Sequence, residues 1–219
     1  MTTSVGIVGG TGPLGRGLAL RFARSSLDIA LGSRDPERAE RAATAVTEQL
    51  DGDVTVTGGK NLEVVDRDVV ILAVPFATLD ELLPTLRAAI GDRLVVSAVN
   101  PLGFDDDGPF TRPVAEGSAA QRIARALPEA RVTAAFHTLS SRELAAIGRP
   151  MDDDVPVVGD DEAALAQVVA LADQIEGCRG VPVGPLRLAA TLESITPVLI
   201  AVNRRAKAHT GVRFSRLDR

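Results

Sequence analysis

The chain has 219 residues, 45% of them apolar and 24% charged, and its 24 lysines and arginines face 29 acids for a net charge of −5. That length fits one large domain or one and a half, and the apolar share suffices for a sizeable core; the charge balance argues against nucleic acid or a membrane surface as a partner. A single cysteine, Cys178, excludes an intrachain disulfide and a cysteine-based zinc cluster, while the lack of Tyr and Trp and the presence of only two histidines thin the supply of general acids and bases.

In chain order, an apolar strand is expected at Val5–Val8, then a helix at Leu14–Ser25, a strand at Ile29–Leu31 and a helix at Pro36–Leu50. Strands follow at Val54–Thr57 and Val69–Ala73, a helix at Thr78–Ile90 and a strand at Leu94–Ser97. The stretch Asn100–Gly117, rich in Gly, Pro and Asp, is predicted to be a long irregular loop, the kind that is usually functional or mobile. Beyond it come a helix at Ser118–Ala126, a strand at Val132–Phe136 and an acidic "MDDDVP" segment from Met151, read as a solvated turn. A strand at Val155–Val158, a helix at Glu162–Ile175 and a strand at Val181–Val183 lead to a last helix from about Leu188 to Ala208, which Pro197 should kink or split. Strands that are apolar throughout and alternate with amphipathic helices point to a doubly wound, mostly parallel α/β sheet of the Rossmann type with a small C-terminal helical region. Residues 1–184 form the sheet domain in this reading and 185–219 the helical segment and tail. No run of about 18 apolar residues predicts a membrane span, and the N-terminus lacks a signal peptide's charged region and cleavage site, so a cytoplasmic location is expected.

Gly10-Thr11-Gly12-Pro13-Leu14-Gly15 fits G-x-G-x-x-G. The pattern gains meaning from its place, directly after one strand and directly before one amphipathic helix. Gly10 allows the tight turn, Gly12 lets the main chain touch a pyrophosphate, and Gly15 lets helix pack on strand. The helix N-terminus then offers free N–H groups and a positive dipole end to the phosphates. The second strand ends in "LGSRDPER", with no acid where an NAD enzyme commonly binds the ribose 2′-hydroxyl. Ser33 can donate to a 2′-phosphate and Arg34 and Arg38 can pair with it, so NADP(H) is preferred; Asp35 before Pro36 reads as a helix cap. Val74 and Pro75 can form an apolar wall beside the nicotinamide or its ribose. His137, after the sixth strand, can hydrogen-bond the nicotinamide carboxamide or a second ligand's ring, and His209 reads as solvated.

Taken together, "GIVGGTGPLGRGLALRFA", "GSRDPERAE", "AVPF", "AFHTLSS", "DDDVPVVGDDE" and "GPLRLAATLESITPVLIAVNRR" resemble the NADPH:coenzyme F420 oxidoreductases, in order along nearly the whole chain. The resemblance implies a soluble homodimeric enzyme moving a hydride between NADP(H) and the deazaflavin coenzyme F420. It assigns the phosphate end of NADP to Thr11, Gly12, Pro13, Leu14, Ser33, Arg34 and Arg38. It places Val74, Asn100, His137 and Gly211-Val212-Arg213-Phe214 near the transfer site. The chain departs from the pattern in an acidic "SAVNPLGFDDDGPF" loop and in the "SRLDR" that follows Phe214. The residues agree with hydride exchange, which depends on positioning two rings and needs neither tyrosine nor metal. The basic tail "NRRAKAHTGVRFSRLDR" could attract the anionic coenzyme or simply cap a helix end. Two other readings fit the scaffold: an NADPH-dependent flavin or ferric reductase, whose cytosolic domains Asn100-Pro101 also resembles, and a non-catalytic NADP(H)-binding redox sensor.

Overall fold

The computed structural model describes residues 3–50, 54 and 56–217. Eight strands form one sheet: β1 (Ser4–Val8), β2 (Asp28–Ser33), β3 (Val56–Lys60), β4 (Val69–Leu72), β5 (Leu94–Ser97), β8 (Arg131–Ala134), β9 (Asp153–Gly159) and β10 (Cys178–Gly184). Two more strands, β6 (Leu102–Asp105) and β7 (Gly108–Thr111), make a separate hairpin. The helices are α1 (Pro13–Arg24), α2 (Pro36–Thr47), α3 (Leu79–Ile90), α4 (Ala119–Ala126), α5 (Ser141–Ala145), α6 (Glu162–Asp173) and α7 (Ala189–Ala206).

The strand order is β10-β9-β8-β5-β4-β1-β2-β3. The order of strand addition reverses at β1, with β2 and β3 laid on one side and β4 and β5 on the other; this is the switch point where such folds leave a crevice at the carboxyl ends of the strands. Neighbouring strands are parallel except β8 and β9, where Thr133 faces Gly159 and Ala134 faces Val158 in antiparallel register. The first residues of β9 therefore stand at the carboxyl edge, beside the segment that leaves β8. The period-2 alternation of the strands sends Val5, Ile7, Ile29 and Leu31 to a core under α1, α2 and α6. Val8, Ala30, Val70 and Leu72 go to a second core under α3, α4 and the start of α7.

Local chemistry sets the helix starts. Asp35 accepts a hydrogen bond from Arg38 N–H at 3.2 Å with Pro36 at the first helical position, and Ser118 and Asp161 cap α4 and α6 in the same way. The N-terminus of α4 is capped twice over. Glu193, a buried residue of α7, accepts from Ala119 N–H at 2.9 Å and Ala120 N–H at 3.0 Å. Burial pushes the Glu193 carboxyl up to about 7 even though those two donors pull it down.

Several expectations need correction. The Asn100–Gly117 stretch is not an irregular loop throughout: it holds the β6–β7 hairpin, whose turn forms as Asp105 Oδ1 accepts from Asp107 and Gly108 N–H, with Gly108 supplying φ +121°. "MDDDVP" is not a solvated turn. Asp153 opens β9, and Asp154 is 2% exposed and ion-paired to Arg179. Pro197 does not split the last helix, which runs through it from Ala189 to Ala206. A short helix, α5, appears where none was expected. Of the predicted strand Val54–Thr57, Thr55 lies outside the described residues and the strand begins at Val56. Among the described residues one segment, Leu186–Ala206, is long and apolar enough by length and composition alone to cross a membrane, although charged residues interrupt it. One side of it is committed to the core through Leu186, Ala189, Leu192 and Glu193.

Candidate functional site

The site grows from the turn between β1 and α1. Gly9 sits at φ +76°, and Gly10 N–H is shared between Ile7 O at 3.1 Å and Gly32 O at 2.9 Å, tying the turn to the end of β2. Its glycines serve different ends. A Cβ on Gly10 would lie 2.7 Å from Leu31 Cδ2, and one on Gly15 would lie 2.7 Å from Gly10 Cα, so packing excludes a side chain at both. A Cβ on Gly12 would meet only Gly9 O, at an ordinary 3.4 Å. Nothing in the protein itself requires a glycine there. At this position, where α1 starts with no side-chain cap, bare backbone suits an approaching anion.

Beside the turn lies a cavity of about 450 Å³ whose lining includes Thr11, Gly12, Ser33, Arg34, Arg38, Asn61, Val74 and Pro75. The expected residues Thr11, Gly12, Ser33, Arg34, Arg38, Val74 and Pro75 are thus brought together. Arg34 and Arg38 are exposed, and among the described residues neither joins an ion pair. Two uncommitted guanidiniums on one rim suit a dianionic phosphoryl group. Gly10, Pro13, Leu14 and Gly15 do not line the cavity. Gly10 and Gly15 build the turn, Pro13 starts α1, and the Leu14 side chain packs on the core.

Asn100, His137, Gly211 and Val212 stand apart from this cavity. His137 is 5% exposed, its Nε2 has no hydrogen-bond partner, and burial pushes its imidazole down to about 4, so the ring is neutral at pH 7. The neighbouring Thr138 Oγ1 is buried and unpartnered too. Orphaned polar atoms of this kind cost stability unless a ligand satisfies them. Phe136, just before, is held at φ +68°, an uncommon conformation for an aromatic residue, with its ring edge-on to Phe22 at 5.9 Å. The Asn100 amide is engaged: Nδ2 donates to His137 O at 3.4 Å, and Oδ1 accepts from Thr196 Oγ1 at 3.0 Å.

Gly211 and Val212 lie against the head of β9, where Asp154 N–H donates to Val212 O at 2.7 Å. Burial raises the adjacent Asp153 carboxyl to about 6, with further upward pushes from Asp152, Glu143 and Asp154. Part of the tail's charge is balanced, because Arg213 pairs with Asp152 at 2.8 Å; Arg204 keeps its charge while lying over the Phe104 ring. His209 is exposed, as expected.

Sequence reasoning missed Asn61 and Thr196. Asn61 is a buried residue at the cavity wall whose Oδ1 accepts from Gly9 N–H at 3.4 Å and whose N–H donates to Ser33 O at 3.0 Å. Its one sequence signal is its place directly after the "GGK" of the third strand. Thr196 also donates to His137 O at 3.1 Å, and nothing in the spacing of α7 marks it.

A doubly wound sheet with a glycine turn and an uncapped helix start at its switch point defines a dinucleotide-binding protein of the Rossmann class. Residues 4–101 match the family model described as NADP oxidoreductase, coenzyme F420-dependent. The chain is 37% identical over 224 residues to the F420-dependent NADP reductase of Methanothermobacter thermautotrophicus, covering 99% of this chain and 97% of that one. It is 35% identical over 221 residues to the enzyme of the same name from Methanocaldococcus jannaschii, covering 98% and 99%. A crystal structure of a candidate F420-dependent NADP-reductase from Arthrobacter sp. FB24 superposes with a TM-score of 0.82 at 25% identity, covering 98% of this chain and 100% of that one. The chain belongs to the F420-dependent NADP oxidoreductase family.

Proposed function

We propose that this protein is an oxidoreductase that moves a hydride between NADP(H) and coenzyme F420. The observation that carries this reading is Gly12, a bare position that the fold does not need, facing a cavity rimmed by two unpaired arginines. NADPH supplies two electrons and a proton as hydride, and the oxidised deazaflavin accepts it with one further proton from solvent; the reverse direction uses the same atoms. The chain's part is to bind and orient. The Thr11–Gly12 turn and the start of α1 hold the pyrophosphate. Ser33, Arg34 and Arg38 hold the 2′-phosphate. Val74 and Pro75 present an apolar wall toward the nicotinamide half.

His137 acts as a neutral hydrogen-bonding group, one ring nitrogen donating and the other accepting, because burial disfavours the imidazolium and lowers its pKa to about 4. Asn100 holds the His137 carbonyl and so fixes the loop that carries it. In this division of labour, residues 1–184 bind NADP(H), while 185–219 complete the pocket for F420 with Gly211 and Val212 on its wall. The protein works in the cytoplasm as a homodimer, with no nucleic-acid or membrane partner. What supports the dimer is the pair of exposed apolar residues Val198 (59% exposed) and Val202, one helical turn apart on α7; a second copy covers them.

Replacing both Arg34 and Arg38 by Ala tests the cofactor reading by calorimetric titration. Two exposed charge-assisted contacts together are worth roughly 1.5–3 kcal/mol, so NADPH binding should weaken about 10- to 150-fold. NADH binding should stay within about twofold of wild type, because it lacks the phosphoryl group those contacts serve. Equal losses for both nucleotides would remove the 2′-phosphate assignment.

A further inference from the structure

After α7 the chain turns back at Lys207, which takes the left-handed conformation (φ +51°), and Asn203 Oδ1 catches Thr210 through both its N–H (2.7 Å) and its hydroxyl (2.8 Å). Residues 211–217 then lie across the heads of β9 and β10; Arg213 pairs with Asp152, and the other bonds that hold them converge on one ion pair whose carboxylate is buried and whose guanidinium is partly exposed. Arg179, on β10, grips Asp154 with both prongs, Nε to Oδ1 at 2.9 Å and Nη2 to Oδ2 at 2.7 Å. The same guanidinium donates to Leu217 O at 2.9 Å and Phe214 O at 3.4 Å. The same carboxylate accepts from Phe214 N–H at 2.5 Å, and Asp154 N–H reaches Val212 O. Burial alone would push the Asp154 carboxyl up, but Arg179, Phe214 N–H and the Arg213 charge outweigh it and hold it below the usual carboxylate range.

A buried ion pair is a poor source of stability compared with apolar packing. Its fork is a good source of fixed geometry. Here the fork is spent on backbone groups of the tail, and only a planar guanidinium has enough donors to serve a carboxylate and two carbonyls at once. Because β9 is antiparallel to β8, its head stands at the carboxyl edge, on the side where the chain leaves β8 toward His137. We propose that Asp154 and Arg179 are positioning residues for the second-substrate pocket: together they lock the main chain of residues 211–217 in place and so fix the wall against which F420 binds. This inference rests on the reading above that Gly211 and Val212 face F420.

The test pairs steady-state kinetics with limited trypsin digestion, which cuts the full-length protein after Lys207, Arg213 or Arg216. Arg179→Met should speed removal of the tail and raise the KM for F420 about tenfold or more, with the KM for NADPH within about twofold of wild type. Arg179→Lys, which keeps the charge but loses the fork, should behave like Met. Should Arg179→Met not fold, Asp154→Asn serves instead: it keeps the side-chain shape and removes the charge that Arg179 grips, and it should give the same faster cleavage and raised KM for F420. An unchanged cleavage rate overturns the proposal, as does faster cleavage with an unchanged KM for F420. A wild-type protein that reduces no F420 would sink the functional reading, and the cleavage arm would still decide whether the pair holds the tail.

Discussion

Gly12→Ala separates a glycine kept for a ligand from one kept for the fold. Gly12 has φ −73° and ψ 164°, where alanine is at ease. Its new methyl would meet only Gly9 O at 3.4 Å. Folding stability should therefore move by less than about 0.5 kcal/mol, or rise by up to about 1 kcal/mol as the unfolded chain loses freedom. Binding is another matter, because the methyl stands where a phosphate must approach the backbone. Losing one charged hydrogen bond costs roughly 1.5–3 kcal/mol, or about 10- to 150-fold in the NADPH dissociation constant. Gly15→Ala is the contrast. Its Cβ would lie 2.7 Å from Gly10 Cα and 3.0 Å from Gly10 O, so overpacking should cost about 1–3 kcal/mol of stability. Thermal melts and calorimetric titration of the two variants read both quantities. A Gly12→Ala protein that binds NADPH like wild type, or that melts as early as Gly15→Ala, would refute the reasoning.

Three further outcomes follow from particular residues. Burial lowers His137 from 6.5 to about 4, so the unfolded chain binds the extra proton between those values; the stability tied to His137 is complete above about pH 6.5 and is lost toward pH 4. At about 1.4 kcal/mol per unit that is about 3 kcal/mol, and urea melts of His137→Gln should lack this part of the acid sensitivity; an identical pH profile would contradict it. Glu193 runs the other way, since its pKa is raised from 4.5 to about 7: its contribution is fullest below about pH 4.5 and fades as pH rises through 7. Wild type should therefore exceed Glu193→Gln in stability by more at pH 5 than at pH 8, by up to about 3 kcal/mol, and a gap that widens with pH would contradict this. Finally, Val198→Glu with Val202→Glu should turn a dimer into a monomer in light-scattering chromatography, and an unaltered mass would move the interface elsewhere.

Much of the fold was legible because its signals are local. Apolar runs of strand length, a proline after Asp35 and a glycine turn between strand and helix each carry their meaning within a few residues. The rim of the cavity was legible for the same reason, since Ser33, Arg34 and Arg38 lie within one strand end and one helical turn. What escaped depends on distant partners. An acidic run reads as a solvated turn until Arg179, 25 residues further on, is found gripping Asp154. The direction of β9 escaped as well, because an apolar run reads the same in a parallel or an antiparallel neighbour. The β6–β7 hairpin hid behind a composition of Gly, Pro and Asp, in which short strands leave little period to detect. Asn61 and Thr196 are ordinary loop and helix residues until the fold sets them against Gly9 and His137.

The acceptor that takes the hydride distinguishes an F420 reductase from a flavin reductase or a redox sensor. Purified protein mixed with NADPH should bleach the visible absorbance of oxidised F420 in step with NADPH consumption, catalytically and over many turnovers, and should leave ordinary flavin largely untouched. Rapid reduction of free flavin with inert F420, or tight NADPH binding without turnover of either acceptor, would contradict it.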